Sequence, residues 1–209
     1  MAKKDYLYLL RPGDVFQPLD LELGAGEDVS VTFLILPGAD VAVNIRADLT
    51  GAGANLRLNG LYICGKEEKV QIQTDVRHLV PETSSNQLVN GVAGGNAKAS
   101  FYGRIVVATD AQKTEAYQTN RNILLTDGAK VETKPQLEIY ADDVKCSHGA
   151  TIGRLDEQEQ FYMRSRGIPE DEAKFLQLVS FLSPVLEAVP ADRKEDLAAL
   201  VEASLRSIL

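Results

Sequence analysis

The chain has 209 residues, of which 44% are hydrophobic, and this is typical of a folded globular protein rather than a disordered one. Its net charge is −8 at pH 7, and aromatic residues make up only 6%. Proteins that bind nucleic acids present basic stripes, so this composition argues against a nucleic-acid partner.

The cysteine count and the first residues indicate where the protein works. Two cysteines cannot build a disulfide framework. The opening sequence MAKKDYLYLLRPGDVF reaches a charged turn before any long apolar run, which predicts no signal peptide. No apolar run approaches the roughly 18 residues of a membrane span. We therefore expect a cytoplasmic protein that has no membrane partner.

The segment 1–155 is predicted to consist of short β-strands. Runs such as VAVNIRADL and KVQIQTDVRHL alternate apolar and polar residues and are rich in Val, Ile and Leu. Gly-Ala, Gly-Asp and Gly-Lys pairs separate the runs, and no helical period of useful length interrupts them. This part of the sequence therefore predicts an all-β core.

The pattern of strand and turn repeats within this core. Gly-Ala turns at Gly38, Gly53 and Gly128 lead into extended segments, and the segment from Asn59 resembles the one from Tyr102, 43 residues later. An offset of this size suits two coils of roughly 20 residues each, a scale at which solenoid repeats occur. Repeated strands without helices predict a β-solenoid. A β-sandwich also contains short strands at regular spacing, but the repeat favours the solenoid.

The remainder of the chain, 156–209, is predicted to form a C-terminal helical domain of three short helices. Asp156 is placed to cap the first helix and Gly167 to end it. Pro184 and Pro190 are expected to break the chain before a last amphipathic helix. Three helices beside a β core predict a cap for the end of the solenoid, a docking surface, or both.

The segment 146–148 combines one of the two cysteines with one of the two histidines. On a strand, Cys146 and His148 project from the same face, where they could bind a metal or act as nucleophile and base. A closed zinc site needs about four ligands, and elsewhere the chain offers only Cys64, His78 and carboxylates, without CxxC spacing. The residues alone leave open an incomplete metal site and a structural pair, and they favour the structural pair.

Other polar features have a structural interpretation. His78 precedes the turn-forming sequence PETSSNQ and is predicted to be structural. Asp142 and Asp143 are predicted to lie in a solvated turn between coils, although paired carboxylates can also perform acid–base chemistry. The Gly-rich sequence GVAGGNAKAS lacks the Lys-Ser/Thr of a phosphate-binding loop. None of these features predicts an active site.

The block TKPQLEIYADDVKCSHGATIGRLDEQEQFYMRSRGIPEDEA, residues 133–173, resembles the SufD-like chains of the SufB/SufD family. Members of that family are scaffold subunits of the bacterial iron–sulfur cluster assembly machinery. The similarity extends over residues 25–209. It implies a right-handed parallel β-helix followed by a small helical domain, which agrees with the solenoid predicted from the repeat.

The family resemblance also implies partners and a cargo. Such chains pair with a SufB-like chain through their β-helices, and a SufC-like ABC ATPase docks on the C-terminal helices. The paired chains share a transient iron–sulfur cluster, and no cofactor is bound tightly by the one chain alone. The resemblance therefore implies a scaffold that is not an enzyme, and we expect a homodimer when the chain is isolated.

Two sets of candidate residues follow from the resemblance. By position, His148 matches a histidine that lies at the interface with the SufB-like chain and takes part in cluster formation, and Cys146 is its neighbouring cysteine. For docking of the ATPase we predict the segment FYMRSRG, with these residues: Phe161, Tyr162, Arg164 and Arg166. Arginines near a helix C-terminus also complement the helix dipole, so the sequence leaves that alternative open.

Two positions favour a SufD-like over a SufB-like chain. Asn120 stands where SufB-like chains carry a cluster-related cysteine. The sequence Ser-His-Gly-Ala-Thr from Ser147 stands where they tend to have Glu-His-Glu-Ala-Thr. Family members are commonly longer, so the resemblance implies a short chain that lacks the usual N-terminal region.

Two other functions stay open from the residues. A β-solenoid enzyme that cleaves polysaccharides needs a cluster of catalytic side chains and aromatic residues that stack on sugars, but the chain has no Trp. A purely structural oligomerisation module would use neither Cys146 nor His148. The resemblance favours the assembly scaffold over both alternatives.

Overall fold

The structure is a computed structural model that describes residues 3–209. Within that range the chain forms eleven strands and then three helices. The strands are β1 (Lys3–Leu10), β2 (Leu19–Leu23), β3 (Asp28–Ile35), β4 (Val41–Leu49), β5 (Asn55–Cys64), β6 (Lys69–His78), β7 (Ser84–Ala93), β8 (Lys98–Val107), β9 (Glu115–Leu124), β10 (Lys130–Ile139) and β11 (Lys145–Gly153). The helices are α1 (Glu157–Ser165), α2 (Glu170–Leu186) and α3 (Ala191–Arg206).

The strands form two sheets in which every pairing is parallel. The odd-numbered strands make sheet A, in the order β1-β3-β5-β7-β9-β11, and the even-numbered strands make sheet B, in the order β2-β4-β6-β8-β10. Each strand pairs with the strand two places further along the chain, so one coil contributes one strand to each sheet. About five coils stack in this way. The predicted parallel β-helix with C-terminal helices is therefore confirmed.

The predicted length of a coil was wrong. In sheet A, Asp28 pairs with Asn55, Asn55 with Ser84, and Ser84 with Glu115, so a coil takes 27 to 31 residues. The offset of 43 residues joins Asn55, the first residue of β5, to Lys98, the first residue of β8, one and a half coils later. The two strands belong to different sheets, but both alternate because each turns one face to the shared interior.

The interior changes character along the β-helix. In β4 the inward residues are aliphatic, as at Val43 and Ile45, and they are fully buried. In β9 the inward residues are mostly polar although they are equally buried, as at Gln118, Asn120 and Asn122. Buried polar groups need hydrogen-bond partners inside the protein, so this end of the core depends on a side-chain network.

The helices cover the outer face of sheet A. Leu61 and Val92 point outward from neighbouring strands of that sheet and join one apolar cluster with Leu178 of α2 and Val201 of α3. Burial of this cluster is the driving force that holds the helices on the sheet. The helices therefore lie along the side of the β-helix, and the expectation that they cap its end was wrong. The strands end at Gly153 and the helices begin at Glu157.

The predicted ends of the first helix are confirmed. The carboxylate of Asp156 accepts hydrogen bonds from the backbone N–H groups of Gln158 (2.7 Å) and Glu159 (3.1 Å), which satisfies two free donors of the first turn. Gly167 follows α1 with a φ of +89°, a left-handed conformation that favours glycine and ends the helix.

The predicted break at Pro184 was wrong, because this proline lies inside α2, near its end. A proline removes a backbone N–H and leaves the carbonyl four residues earlier without its usual donor. Here the hydroxyl of Ser183 donates a 2.9 Å hydrogen bond to that carbonyl, which belongs to Ser180. The local side chain thus compensates for the missing bond, and the helix continues to Leu186.

The interior of the last coil is uncovered. β10 and β11 are the end strands of their sheets, and no further coil stacks on them within residues 3–209. Ile152 of β11 is 44% exposed, whereas Asn122, its register partner in the coil before, is 2% exposed. Ile139 of β10 is likewise 40% exposed. Side chains that would be buried in an inner coil therefore meet solvent here.

None of the helices formed by the described part of the chain has the length and apolar character needed to cross a membrane.

Candidate functional site

Cys146 and His148 lie on the uncovered face of the last coil. In the ladder between β11 and β9, Cys146 pairs with Ala116 and His148 pairs with Gln118. Paired residues in a parallel sheet project to the same side, and both Ala116 and Gln118 face the buried interior. Cys146 and His148 therefore project along the interior column at its open end, where His148 is exposed and Cys146 is half-buried.

The thiol of Cys146 has an apolar surrounding. It packs with Leu137 of β10 and Val144 against a small buried cluster that contains Ile105 and Ala116. Burial raises the pKa of the Cys146 thiol, and the opposing hydrogen bond with the backbone of Ala116 lowers it by less. The thiol is therefore protonated at neutral pH and must lose that proton before it can bind a metal.

A line of polar side chains runs from the interior toward His148. Thr74 in β6 donates a 2.8 Å hydrogen bond to the side-chain oxygen of Gln87 in β7. The side-chain nitrogen of Gln118 in β9 donates to the same oxygen at 3.3 Å. Gln118 in turn lies in the position directly beneath His148. The polar line thus connects three successive coils to the candidate site.

A second polar group lies beside that line. Asn122 accepts a 2.7 Å hydrogen bond from the hydroxyl of Tyr62 and donates to the side-chain oxygen of Asn120 (2.7 Å) and to the carbonyl of Thr151 (3.1 Å). Asn120 donates to the carbonyl of Val89 at 3.0 Å. These hydrogen bonds connect β11 to the coils beneath it.

Sequence reasoning named Asn120 but did not predict that it and its neighbours Gln118 and Asn122 face the interior. The sequence AYQTNRN in β9 alternates, and from Gln118 onward every second residue carries a carboxamide: Gln118, Asn120 and Asn122. The run could have been recognised as polar residues on one strand face. The sequence alone does not show that this face of the strand is the one that points into the β-helix.

Neither of the remaining Cys and His residues reaches the site. Cys64 is buried at the end of β5, where burial raises the pKa of its thiol to about 12. His78 is buried at the end of β6, with its ring nitrogens 2.8 Å from the hydroxyls of Thr83 and Ser85. Burial lowers the pKa of His78 to about 4, so the imidazole is neutral. Both residues have a structural role in the core.

Within residues 3–209, no group of three or more His, Cys, Asp and Glu side chains is arranged to hold a metal ion. Cys146 and His148 offer one thiol and one imidazole, both of which are ligands for iron and zinc. Two such ligands complete neither a zinc site nor the ligand set of an iron–sulfur cluster. The uncovered face can therefore contribute half of a metal or cluster site, with the other ligands coming from elsewhere.

Asp142 and Asp143 are exposed in the turn before β11.

The predicted docking residues lie on the outer surface of α1. Phe161 is 74% exposed and Tyr162 is 60% exposed, which is unusual for two adjacent aromatic residues. The guanidinium of Arg166 lies 5.3 Å from the centre of the Tyr162 ring, and Arg164 forms a 3.4 Å ion pair with Glu170. Both arginines therefore have partners within the chain.

A groove with a volume of about 490 Å³ lies between α1 and α2. The residues that line it are Gln158, Glu159, Tyr162, Met163, Leu176, Gln177 and Ser180. Leu176 is 40% exposed in this groove. An exposed groove that combines an aromatic ring, a thioether and an aliphatic side chain is a surface suited to another protein.

The comparison with known families identifies the chain. The SufBD core domain of the SUF system for FeS cluster assembly matches residues 16–181. The chain is a SufD-like member of the SufB/SufD family. This confirms the resemblance of residues 133–173, and the matched range contains Cys146 and His148. Family membership also favours iron–sulfur cluster assembly over the polysaccharide-cleaving alternative.

Individual relatives agree with this assignment. The iron–sulfur cluster assembly protein SufD of Escherichia coli is 42% identical over 155 residues, which are 74% of this chain and 37% of that protein. A SufBD family protein of Synechocystis is 44% identical over 110 residues, 53% of this chain and 24% of that protein. One of Mycobacterium tuberculosis is 33% identical over 182 residues, 82% of this chain and 46% of that protein. The chain thus matches less than half the length of each relative.

Proposed function

We propose that this SufD-like chain is a scaffold subunit, not an enzyme, that pairs with a SufB-like chain in the cytoplasm. The two chains would share a nascent iron–sulfur cluster as cargo, and the helices would recruit a SufC-like ABC ATPase. The uncovered interior of the last coil, with His148 on it, is the observation that carries the proposal. Membership of a family named for iron–sulfur cluster assembly supports it.

The open end of the β-helix is suited to pairing with another strand. The outer edges of β10 and β11 have no strand partner within the described residues. Unpaired edges template the addition of a strand from another chain. Such an addition would extend both sheets and bury Ile139 and Ile152, which are 40% and 44% exposed. The SufB-like β-helix therefore continues this one.

The pairing brings the missing ligands to His148. Iron–sulfur clusters are commonly held by four protein ligands, and this chain presents two at its open end. The imidazole of His148 is exposed, and a ring nitrogen can bind iron directly. Cys146 is half-buried with a raised pKa, so its thiolate is harder to form. We therefore assign His148 as the principal ligand and Cys146 as an auxiliary one.

The two parts of the chain have separate roles in this proposal. The β-helix, assigned to 1–155, meets the SufB-like chain and the cluster. The helical domain, assigned to 156–209, meets the ATPase through Phe161, Tyr162 and the groove beside them. Tyr162, Met163 and Leu176 give the groove apolar surface, so an amphipathic segment of the ATPase fits it.

Coexpression with SufB-like and SufC-like chains tests the pairing. We expect one complex that contains all three chains after affinity purification of this one. A SufD-like chain that purifies alone under these conditions would overturn the proposal.

Reconstitution with iron and sulfide tests the role of His148. In the three-chain complex, His148→Ala is expected to lower the amount of bound iron and sulfide and the visible absorbance of the cluster. Ser147→Ala is the matched control because Ser147 is the adjacent residue on the opposite face of β11. An unchanged cluster yield in His148→Ala would remove this residue from the site.

Light scattering of the isolated chain tests whether the strand edges at the open end pair with a second copy. A second copy offers the same pair of strand edges, so we expect a homodimer by light scattering when the SufB-like chain is absent. Replacement of Ile152 by Lys at the exposed edge is expected to give a monomer, because each pairing would bury two charges. A wild-type chain that is monomeric at all concentrations contradicts this use of the edge.

A further inference from the structure

We infer that three stacked lysines on sheet B form a docking site for the acidic face of a helix from another protein. Lys69, Lys98 and Lys130 are the first residues of β6, β8 and β10, and they pair with one another in the sheet. These three residues are called the lysine ladder below. The inference does not rest on the proposed function, because the ladder lies on sheet B, whereas the helices cover sheet A.

The lysine ladder points to solvent. The residues that follow the first two lysines, Val70 and Ala99, are buried in the interior, so the alternation of a strand directs the lysines outward. All three lysines are exposed. Neighbouring strands lie about 4.8 Å apart, so the three side chains leave the sheet along a line about 10 Å long. A surface depression with a volume of about 540 Å³ follows this line and is also lined by Gln71 and Ser100.

The charge of the ladder has no counterion in the chain. Within residues 3–209, none of its three ammonium groups forms an ion pair. The other basic side chains that point outward from the strands of sheet B each have a carboxylate partner: Arg46, Arg77, Arg104 and Lys134. The ladder is therefore the part of this face that is left to bind an anion from outside.

Two carboxylates border the ladder on the sheet, and both are engaged elsewhere. Glu132 lies in the next outward row of β10 and forms a 2.7 Å ion pair with Lys134. Asp40 lies just before β4, and its carboxylate accepts a 2.6 Å hydrogen bond from the backbone N–H of Lys69. Neither carboxylate forms an ion pair with an ammonium group of the ladder.

The stacking of like charges opposes folding. Like charges on directly opposed residues of neighbouring strands are destabilising, and the ladder repeats this arrangement over three coils. Three ammonium groups held side by side raise the local positive potential. An anion that binds them removes their mutual repulsion, so the ladder favours a partner with several negative charges.

The spacing of the ladder fits a helix. On one face of an α-helix, residues at positions i, i+4 and i+7 span about 10 Å, which matches the length of the ladder. Alternate residues of an extended segment lie about 6.6 Å apart, so three of them span about 13 Å. Three carboxylates on one face of a helix therefore lie opposite the three lysines.

The charge of the whole chain argues against other polyanions. A net charge of −8 repels an extended nucleic acid or an anionic membrane, whereas a short helix meets the ladder alone. Basic clusters that bind anionic lipids contain roughly four to eight Lys or Arg residues, and the ladder contains fewer. The acidic helix is therefore the occupant that the charges favour.

Nuclear magnetic resonance of the full ¹⁵N-labelled chain tests the site with a synthetic peptide. The probe is an alanine-rich helical peptide with Glu at positions i, i+4 and i+7, and the control peptide carries the same number of Glu spread around the helix. We expect saturable shifts of the amide signals at the start of β6, β8 and β10 with the probe. Exposed ion pairs are individually weak, so we expect a Kd of about 1 mM that rises with salt.

Variants of the chain test whether the lysines carry this binding. Replacement of all three ladder lysines by Gln is expected to weaken binding of the probe at least about tenfold. A control chain combines Lys4→Gln, Lys113→Gln and Lys145→Gln, which removes the same charge from exposed lysines that each have a Glu partner. It is expected to bind the probe as the wild type does. Equal affinities of the ladder variant and the control chain would overturn the inference.

Two further measurements separate docking from other uses of the ladder. The ladder variant is expected to be at least as stable as the wild type in urea, because it has lost stacked like charges. A large loss of stability would show that the lysines support the fold, and this would overturn the docking role. Vesicles of phosphatidylcholine with and without phosphatidylserine are expected not to bind the chain, and binding that depends on the ladder would replace the acidic helix by a lipid surface.

Discussion

The hydroxyl of Tyr62 donates a 2.7 Å hydrogen bond to the side chain of Asn122, although 60 residues separate them. The residue between them in the ladder is Gly91, which pairs with Tyr62 on one side and with Asn122 on the other. The ring of Tyr62 therefore spans a whole coil because Gly91 has no side chain to block it. The polar core near the open end depends on this relationship.

Gly91→Ala is expected to destabilise the protein by about 3 kcal/mol, the upper part of the range for overpacked cores. A Cβ at this position would lie 1.9 Å from the Tyr62 ring, and Tyr62 is itself buried, with 1% exposed. Urea unfolding measures the effect. Gly149→Ala is the matched control because a Cβ there meets nothing within 4 Å. Equal stabilities of the two variants would contradict this packing.

The stability of the protein is expected to fall as the pH is lowered from 6.5 to 4 because of His78. Burial depresses the pKa of its imidazole to about 4, whereas the unfolded chain has the ordinary value near 6.5. The unfolded state therefore binds the proton first. Stability is complete above pH about 6.5, declines below it and levels off near pH 4, with a total loss of about 3 kcal/mol.

Urea unfolding at several pH values checks this dependence on His78. His78→Gln keeps a polar side chain at the site and is expected to be less stable but to lose most of the decline between pH 6.5 and 4. Ser147→Ala is the control, since Ser147 is exposed and carries no titratable group, and it is expected to keep the wild-type decline. A His78→Gln variant with the full wild-type decline would assign the effect to other groups.

Thiol reagents are expected to label Cys146 and not Cys64 in the folded protein. Cys64 is 1% exposed with a pKa of about 12, so it offers neither access nor thiolate. Cys146 is half-buried at the open end and reacts slowly. Mass spectrometry should find one label in buffer and two in urea. Cys146→Ser should remove the native label, and a native label on Cys64 would contradict the buried core.

Phe161→Ala is expected to weaken binding of the SufC-like ATPase by about tenfold or more without changing the stability of the fold. An exposed aromatic side chain at the centre of an interface typically contributes more than 1 kcal/mol to binding, and Phe161 is 74% exposed in the free chain. Calorimetric titration with the ATPase measures the affinity. Thermal unfolding supplies the measure of stability.

Leu178→Ala serves as the contrasting variant on the neighbouring helix. Leu178 is fully buried between the helices and sheet A, so its truncation should cost about 2–5 kcal/mol of stability. An unchanged affinity in Phe161→Ala would move the docking surface away from α1.

The local features of this sequence predicted its elements well because each depends on neighbouring residues. Alternation of apolar and polar residues marked the strands, and the carboxylate of Asp156 and the left-handed Gly167 set the ends of α1. Pro184 was misjudged because the compensating hydroxyl of Ser183 is a side-chain effect that a rule about proline does not contain. The length of a coil was misjudged because strands of both sheets alternate in the same way, so a strand of one sheet was matched to a strand of the other.

By itself, the sequence determined that the chain has short β-strands followed by three helices and that Cys146 and His148 share a strand face, since period-two alternation and helix capping are local. Only the tertiary structure decided which face is interior, that the helices cover sheet A, and that Gln118 lies beneath His148. These relationships join residues about one coil or more apart. They depend on how the turns bring each coil into register, and no short stretch of sequence contains that information.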